Sequence, residues 1–303
     1  MTTSRLDLLI YAHDGRGLGH VSRSIAIGIA VRRLYPDLKV LFLTGSRMVS
    51  RLIENVPLDW LKLPAYQTKV VSGVSTGLPG LTNFSDADLG ECRRGAIQHL
   101  IAALRPRCVL ADHSPQGKHK ELVPALGTTR DSDTAWVLGM RGWVGSVPQV
   151  WSETAKKLFR DHYSHLLWYG DSRLLGETQS RTLKRHFGIQ PLETGYVSRI
   201  SELDQWSPVP PNPNEQVAGI VSIPWLGEET AYVLDQLSQA MHIIGPEYGR
   251  WRLFVGSPDD YARDTGRQQN VQRVFENLPF CDLTPADEQY RQVLMKAKTA
   301  IIY

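Results

Sequence analysis

The feature that most limits how this chain can fold is its opening. An apolar segment, "LDLLIYA", runs through the small-residue stretch "HDGRGLGH" directly into "VSRSIAIGIAVRR", whose apolar residues recur at helical spacing. Strand, glycine-rich turn and helix in that order begin a βαβ unit, and the same alternation recurs downstream. The spacing predicts strand "KVLFLTG", helix "SRMVSRLIEN" opened by a Ser cap, and a shorter strand "DWLKLPAY". The stretch "VVSGVSTGLPGLTNFSDADLG" is rich in Gly, Ser and Thr and reads as a long exposed loop. A long helix ending at Pro106 follows. Then come strand "CVLADHSP", helix "HKELVPAL", strand "TAWVLGMRG", helix "PQVWSETAKKLFRDHY" and strands "HLLWYGD" and "LETGYV".

The pattern breaks between residues 198 and 216, where "SPVPPNPNEQ" can continue neither a helix nor a strand. It then restarts with strand "QVAGIVSI", helix "EETAYVLDQLSQAMHII" and strands "WRLFVGS" and "KTAIIY". The expectation is an α/β protein of two Rossmann-like lobes, residues 1–197 and 198–303. The second lobe reads as incomplete, its last strand lacking a covering helix.

Composition narrows the function classes. A 42% hydrophobic and 21% charged chain is that of a folded globular protein, and no apolar run reaches the roughly 20 residues that span a bilayer. Cys92, Cys108 and Cys281 form no paired motif, which points away from a zinc site or a disulfide framework and toward a reducing cytoplasm. A net charge of +3 gives no reason to expect a nucleic-acid partner. The basic-ended helix "ECRRGAIQHLIAALRPR" leaves peripheral contact with the inner membrane face as a secondary option beside its ordinary role of covering a sheet.

The turn itself excludes two chemistries. A Walker A loop needs Lys and Ser or Thr after its last glycine, whereas Gly19 is followed by His20 and Val21. A dinucleotide fingerprint needs GxGxxG and an acidic residue after the second strand; here Gly15, Gly17 and Gly19 are spaced GxGxG and that strand ends "FLTGS". What remains is a backbone able to approach a ligand closely, a helix N-terminus suited to an anion or sugar oxygen, and an imidazole. His20 at the carboxyl edge of a sheet can take a proton from a hydroxyl nucleophile, or it can simply pack the turn. Asp112 in "LADHSP" is a second candidate base, although Asp112 and His113 read more readily as residues that satisfy nearby backbone groups. Trp136, Trp143, Trp151 and Trp168 show no helical spacing and read as packing.

The turn "GRGLGHVSRSIAIGIAV" resembles the first βα turn of GT-B glycosyltransferases, in particular the MurG-like branch. It is closer still to a group of bacterial predicted glycosyltransferases that also carry a "DH.P.GK" segment, matched here by "LADHSPQGK". "TGYVSR" is similar to the segment leading between the two lobes of that family. The resemblance implies an acceptor-side first lobe and a donor-side second lobe. It implies a nucleotide-sugar donor, a hydroxyl acceptor that is a saccharide, a lipid-linked molecule or a small molecule, no further cofactor and no assigned metal. Carried over, Gly17, Leu18, Gly19 and His20 line the sugar side of the interlobe cleft, Arg141 faces it, and Arg199 meets the donor diphosphate. In the second lobe "VSIPWLGEET" departs from the family's glycine-rich turn, with Pro224 and Trp225 in place of glycines, leaving Ser222 and Gly227. The chain also ends before the last glycine-rich turn of the pattern. The leading expectation is glycosyl transfer. A degenerate, non-catalytic sugar-nucleotide or partner-binding protein is the alternative, and an epimerase would require an acidic pair that the sequence does not display.

Overall fold

The computed structural model describes residues 5–13, 18–53, 55–71, 74–78, 83–206, 217–223, 230–256, 265–284 and 290–302. The chain forms two units, Met1–Ser207 and Pro208–Tyr303. Both are mixed α/β structures built on parallel sheets.

The first unit begins with β1 (Leu8–Ala12), α1 (Gly19–Leu34), β2 (Val40–Thr44), α2 (Val49–Ile53) and β3 (Asp59–Lys62). A two-stranded antiparallel hairpin, β4 (Gln67–Val71) and β5 (Val74–Leu78), occupies the stretch expected to be a loop. The chain continues through α3 (Asp86–Leu104), β6 (Cys108–Asp112), α4 (Val123–Thr128) and β7 (Ala135–Arg141). It finishes with α5 (Pro148–Trp151), α6 (Glu153–His162), β8 (Tyr163–Tyr169), α7 (Ser172–Leu175), α8 (Thr178–Phe187), β9 (Leu192–Glu193) and α9 (Arg199–Trp206). The expected single helix over 148–163 is two, because Ser152 adopts an extended backbone and its hydroxyl accepts the Ala155 N–H, capping a new start.

The seven strands run in the order β3-β2-β1-β6-β7-β8-β9, with every neighbouring pair parallel. Leu8 on β1 pairs with Val40 on one side and with Cys108 on the other. The chain therefore grows outward from β1 to β3, returns through α3, and grows the other way from β6. The carboxyl ends of β1 and β6 flank the point of reversal, where open parallel sheets leave room for a ligand.

Alternation along β1 assigns its two faces. Ile10 and Ala12 join a cluster with Val21, Ile25 and Ile29 of α1, Leu52 of α2 and Leu203 of α9. Leu9 and Tyr11 join the opposite cluster with Ile97 and Ile101 of α3, Phe159 of α6, and Leu183 and Phe187 of α8. Helix α9 lies in the segment read as an interlobe boundary. Leu203 and an Arg33–Glu202 ion pair fix it to α1, so the first unit extends past residue 197.

One buried ion pair shapes the segment after β6. Arg93 and Glu121 are both fully buried and lie 3.1 Å apart. Glu121 also accepts from the Tyr11 hydroxyl at 2.7 Å and from the His119 N–H at 2.6 Å, while Arg93 donates to the Pro64 carbonyl. Burial alone would raise the Glu121 carboxyl, but the Arg93 charge, Tyr11 and the His119 N–H outweigh it and hold it low.

The second unit contains β10 (Gly219–Ile223), α10 (Thr230–Ile244), β11 (Trp251–Val255), α11 (Thr265–Val274), β12 (Cys281–Thr284), α12 (Tyr290–Lys296) and β13 (Thr299–Ile302). Its sheet runs β12-β11-β10-β13, again all parallel. Val221, Ile223, Leu253 and Val255 meet α10 and α11, whereas Ile220 and Phe254 meet Val293 of α12. All four residues of β13 are exposed. No helix among the described residues is long and apolar enough to cross a membrane.

This packing makes three predictions. Arg93→Met leaves a buried carboxylate without its cation and should cost about 3–5 kcal/mol in urea denaturation. A carboxyl lowered by folding stabilises the fold above its unfolded-chain value and loses that contribution as pH falls through the folded value. The wild-type chain should therefore lose more stability on acidification than an Arg93→Met/Glu121→Leu pair. At Gly139 of β7 an added Cβ would lie 1.9 Å from the Tyr169 hydroxyl. Gly139→Ala should displace Tyr169 and cost about 1–3 kcal/mol, read by the same denaturation.

Candidate functional site

Five elements of the first unit bring polar side chains to the reversal point. His13 follows β1, His20 and Arg23 lie in the first turns of α1, Asp112 ends β6, and His113 follows it. Arg141 and Tyr169 end β7 and β8 and are register partners. Residues three apart on a helix share a face, so His20 and Arg23 project together toward the end of β6.

Asp112 is the centre of the group and is 2% exposed. Its Oδ2 lies 2.5 Å from His20 Nδ1, and its Oδ1 accepts from Arg23 Nη2 at 2.6 Å. Burial would raise this carboxyl, but the Arg23 guanidinium and His20 dominate and hold it far below the usual carboxylate range. An ionised carboxylate only accepts hydrogen bonds, so the Asp112 contact selects the ring tautomer with hydrogen on Nδ1 of His20. Nε2 then carries the lone pair. The Arg23 guanidinium also lies over the Tyr169 ring, 5.0 Å from its centroid, and burial raises the Tyr169 phenol, keeping it un-ionised.

His113 is held in the left-handed region at φ 71°, its N–H donating to the Gly139 carbonyl at 2.7 Å. A non-glycine residue there stores strain of about 1–3 kcal/mol, and such strain clusters at functional sites. The imidazole is 5% exposed, its Nδ1 is buried without a partner, and burial together with His20 and His13 keeps it neutral. The ring centroids of His13, His20 and His113 are 4.2, 4.8 and 5.7 Å apart. One nitrogen from each lies within 4.8 Å of one from the others, close enough for the three to share a cation. Arg141 is half-buried, and its buried Nε likewise lacks a partner. Burial and the Arg23 charge lower its pKa, with Asp112 opposing.

Among the residues singled out in the sequence, Leu18, Gly19, His20, Asp112 and Arg141 fall at this edge. Leu18 precedes α1, and among the described residues no side chain caps that helix and an added Cβ at Gly19 would meet nothing within 4 Å. Gly17 lies outside the described residues, as do Pro224, Trp225 and Gly227. Arg199 is not part of the cluster. Its Nε donates to Ser22 Oγ and its Nη1 to the Leu52 carbonyl, tying α9 to α1 and α2. Ser222 sits within β10 of the second unit, opposite Phe254 and Ile302.

Asp112 receives two side chains, where the sequence pointed to backbone partners. Sequence reasoning passed over His13, Arg23 and Tyr169. The signal for Arg23 was its spacing of three from His20. For Tyr169 nothing short of the β7–β8 register reveals it.

No family model matches the sequence, and no curated protein matches it. Solved structures do match in fold. A Listeria monocytogenes protein provisionally named UDP-N-acetylglucosamine 2-epimerase superposes with a TM-score of 0.65 at 11% identity, covering 99% of this chain and 74% of that one. The Neisseria meningitidis UDP-GlcNAc 2-epimerase bound to UDP-GlcNAc gives 0.60 at 11% identity, covering 98% and 77%. The E. coli heptosyltransferase WaaC with ADP gives 0.52 at 13% identity, covering 98% and 81%. The chain therefore has the two-unit Rossmann-like GT-B fold shared by these glycosyltransferases and sugar-nucleotide epimerases.

Proposed function

We propose that this protein is a cytoplasmic sugar-nucleotide enzyme that transfers a sugar from a nucleotide-linked donor, UDP-linked in the leading case, to a hydroxyl acceptor. The observation that carries the reading is the His20–Asp112–Arg23 arrangement at the reversal point. An imidazole whose Nδ1 is held by an ionised carboxylate and whose Nε2 is left to face a ligand is built to take a proton from a hydroxyl. Asp112 positions the ring and offsets the imidazolium that forms; it is not itself the base, because it is too acidic and both its oxygens are engaged. Arg23 keeps Asp112 ionised. Arg141, half-buried with its Nε unpartnered, is the guanidinium at this edge suited to an anion, while Arg199 donates to Ser22 and the Leu52 carbonyl. The α1 N-terminus and the open space at Gly19 let a sugar oxygen or phosphate approach the backbone.

In this reading the first unit activates the acceptor and the second binds the donor nucleotide, with Ser222 near the end of β10. Names of the structural neighbours support a sugar nucleotide as partner, since they include UDP and ADP complexes. The motifs "GLGHVSRS" and "DHSPQGK" favour the MurG-like side of the fold over the epimerases. Asp112 is the one carboxylate hydrogen-bonded within the described cluster, whereas the epimerase reading asked for an acidic pair.

The test is acceptor-dependent release of nucleotide from UDP- and ADP-linked hexoses and N-acetylhexosamines, offered saccharide and lipid-linked acceptors. His20→Ala should lower kcat by about 10²–10⁴-fold, and Asp112→Asn should also lower it. Equal turnover in wild type and His20→Ala would remove the base from the mechanism. Donor binding by calorimetry with no turnover under any pairing would instead establish the non-catalytic alternative, and C2 inversion of a UDP-sugar followed by NMR would establish an epimerase. Gly19→Ala should leave thermal stability unchanged or slightly higher, by up to about 1 kcal/mol, while raising KM. Unaltered KM would place the ligand elsewhere.

A further inference from the structure

We infer that His13, His20 and His113 form a site for a single divalent cation of the zinc class. The sequence offered no hint of it, because residues 13, 20 and 113 follow no metal-ligand spacing and meet only through the β1–β6 pairing. Three observations converge. One nitrogen from each ring lies within 4.8 Å of one from each of the others. His113 is 5% exposed and its Nδ1 is buried with no hydrogen-bond partner, a costly arrangement that a coordinate bond would relieve. His20 Nδ1 is held by Asp112, itself 2% exposed, which is the carboxylate–histidine support that orients an imidazole for ligation through its other nitrogen.

The ligand chemistry selects the metal. Three imidazoles and no hard oxygen ligand favour Zn²⁺ over Mg²⁺ or Ca²⁺. Tetrahedral Zn²⁺ with bonds of about 2.0–2.1 Å places its ligand nitrogens roughly 3.3 Å apart, so the rings need to close by at most about 1.5 Å. His13 and His20 are only partly buried and can supply that movement. Two cations oppose a metal here. Arg23 hydrogen-bonds Asp112, whereas the buried Nε of Arg141 has no hydrogen-bond partner, so the fourth ligand should be an anion.

The site has a consequence for the proposed reaction. A metal on His20 Nε2 takes the same lone pair that a hydroxyl proton would take, so the two uses exclude each other. The binding claim rests on the three rings and not on the transfer reading, and its test needs no turnover.

Untagged protein stripped with a chelator should be titrated with Co²⁺, read by visible absorption, and with Zn²⁺, read by calorimetry. One equivalent of Co²⁺ should give the intense visible bands of a four-coordinate ion, and Zn²⁺ should displace it. His13→Ala should weaken Zn²⁺ binding at least about 10-fold, and Asp112→Asn by about 10–100-fold, both with unchanged circular dichroism. His113→Asn, which keeps a residue tolerant of positive φ, should do the same. Absence of saturable Zn²⁺ binding would overturn the proposal. So would binding of undiminished affinity in His13→Ala, a partly exposed position whose loss does not threaten the fold.

Discussion

The rest of the site depends on one buried charge. Asp112 ends a central strand of a parallel sheet and is almost wholly removed from water, where an isolated carboxylate would cost several kcal/mol. Arg23 and His20 meet that cost from the first turns of α1, which is the helix that covers β1. Charge compensation therefore couples two neighbouring βα units at the place where the order of strand addition reverses. It fixes the rotation of α1, because only a helix face with polar residues at 20 and 23 can sit over the end of β6. It also fixes which imidazole nitrogen carries the proton.

The supporting shell is built by size as much as by charge. Tyr169 reaches over β7 only because residue 139 is glycine, and there it lies beneath the Arg23 guanidinium. The Gly139 carbonyl holds the N–H of His113 in its strained conformation. On the opposite face of β1 the Arg93–Glu121 pair, joined by Tyr11, organises the chain that leaves β6. One strand thus connects two buried ion pairs: Tyr11 points to the structural one, and the residue just beyond the strand, His13, to the candidate site. A single imidazole at position 20 serves whichever partner is present, a hydroxyl or a cation, because both want the same lone pair.

Much of the fold could be read from the sequence, since strong apolar runs alternating with amphipathic segments have few solutions. β1, α1, β2, β6, β7, β10 and β11 lie where that pattern put them. The hairpin β4–β5 did not announce itself, because Gly, Ser and Thr describe a loop and a short ribbon equally well. Helix α8 was overlooked because its apolar content is two residues, Leu183 and Phe187. Their spacing of four and the left-handed Gly188 after them were the available signals. Helix α9 has one buried apolar residue, Leu203, and no sequence pattern of its own. In the site, His20 was visible because it ends a glycine-rich turn. The role of Asp112 was not, since a strand-end aspartate looks the same whether it meets backbone or a distant arginine. His13 and His113 become neighbours only through the parallel pairing of β1 with β6, a contact between residues a hundred positions apart.

The central claim is that Asp112 holds His20 in the tautomer with hydrogen on Nδ1 and a free lone pair on Nε2. Long-range ¹H–¹⁵N correlation of the imidazole side chains, with His20 assigned by its loss in His20→Gln, reads that directly. The account predicts that in chelator-treated protein the neutral ring carries its hydrogen on Nδ1, with a strongly downfield proton, and its lone pair on Nε2. A His20 ring carrying its proton on Nε2, or averaging freely between both forms, would contradict it.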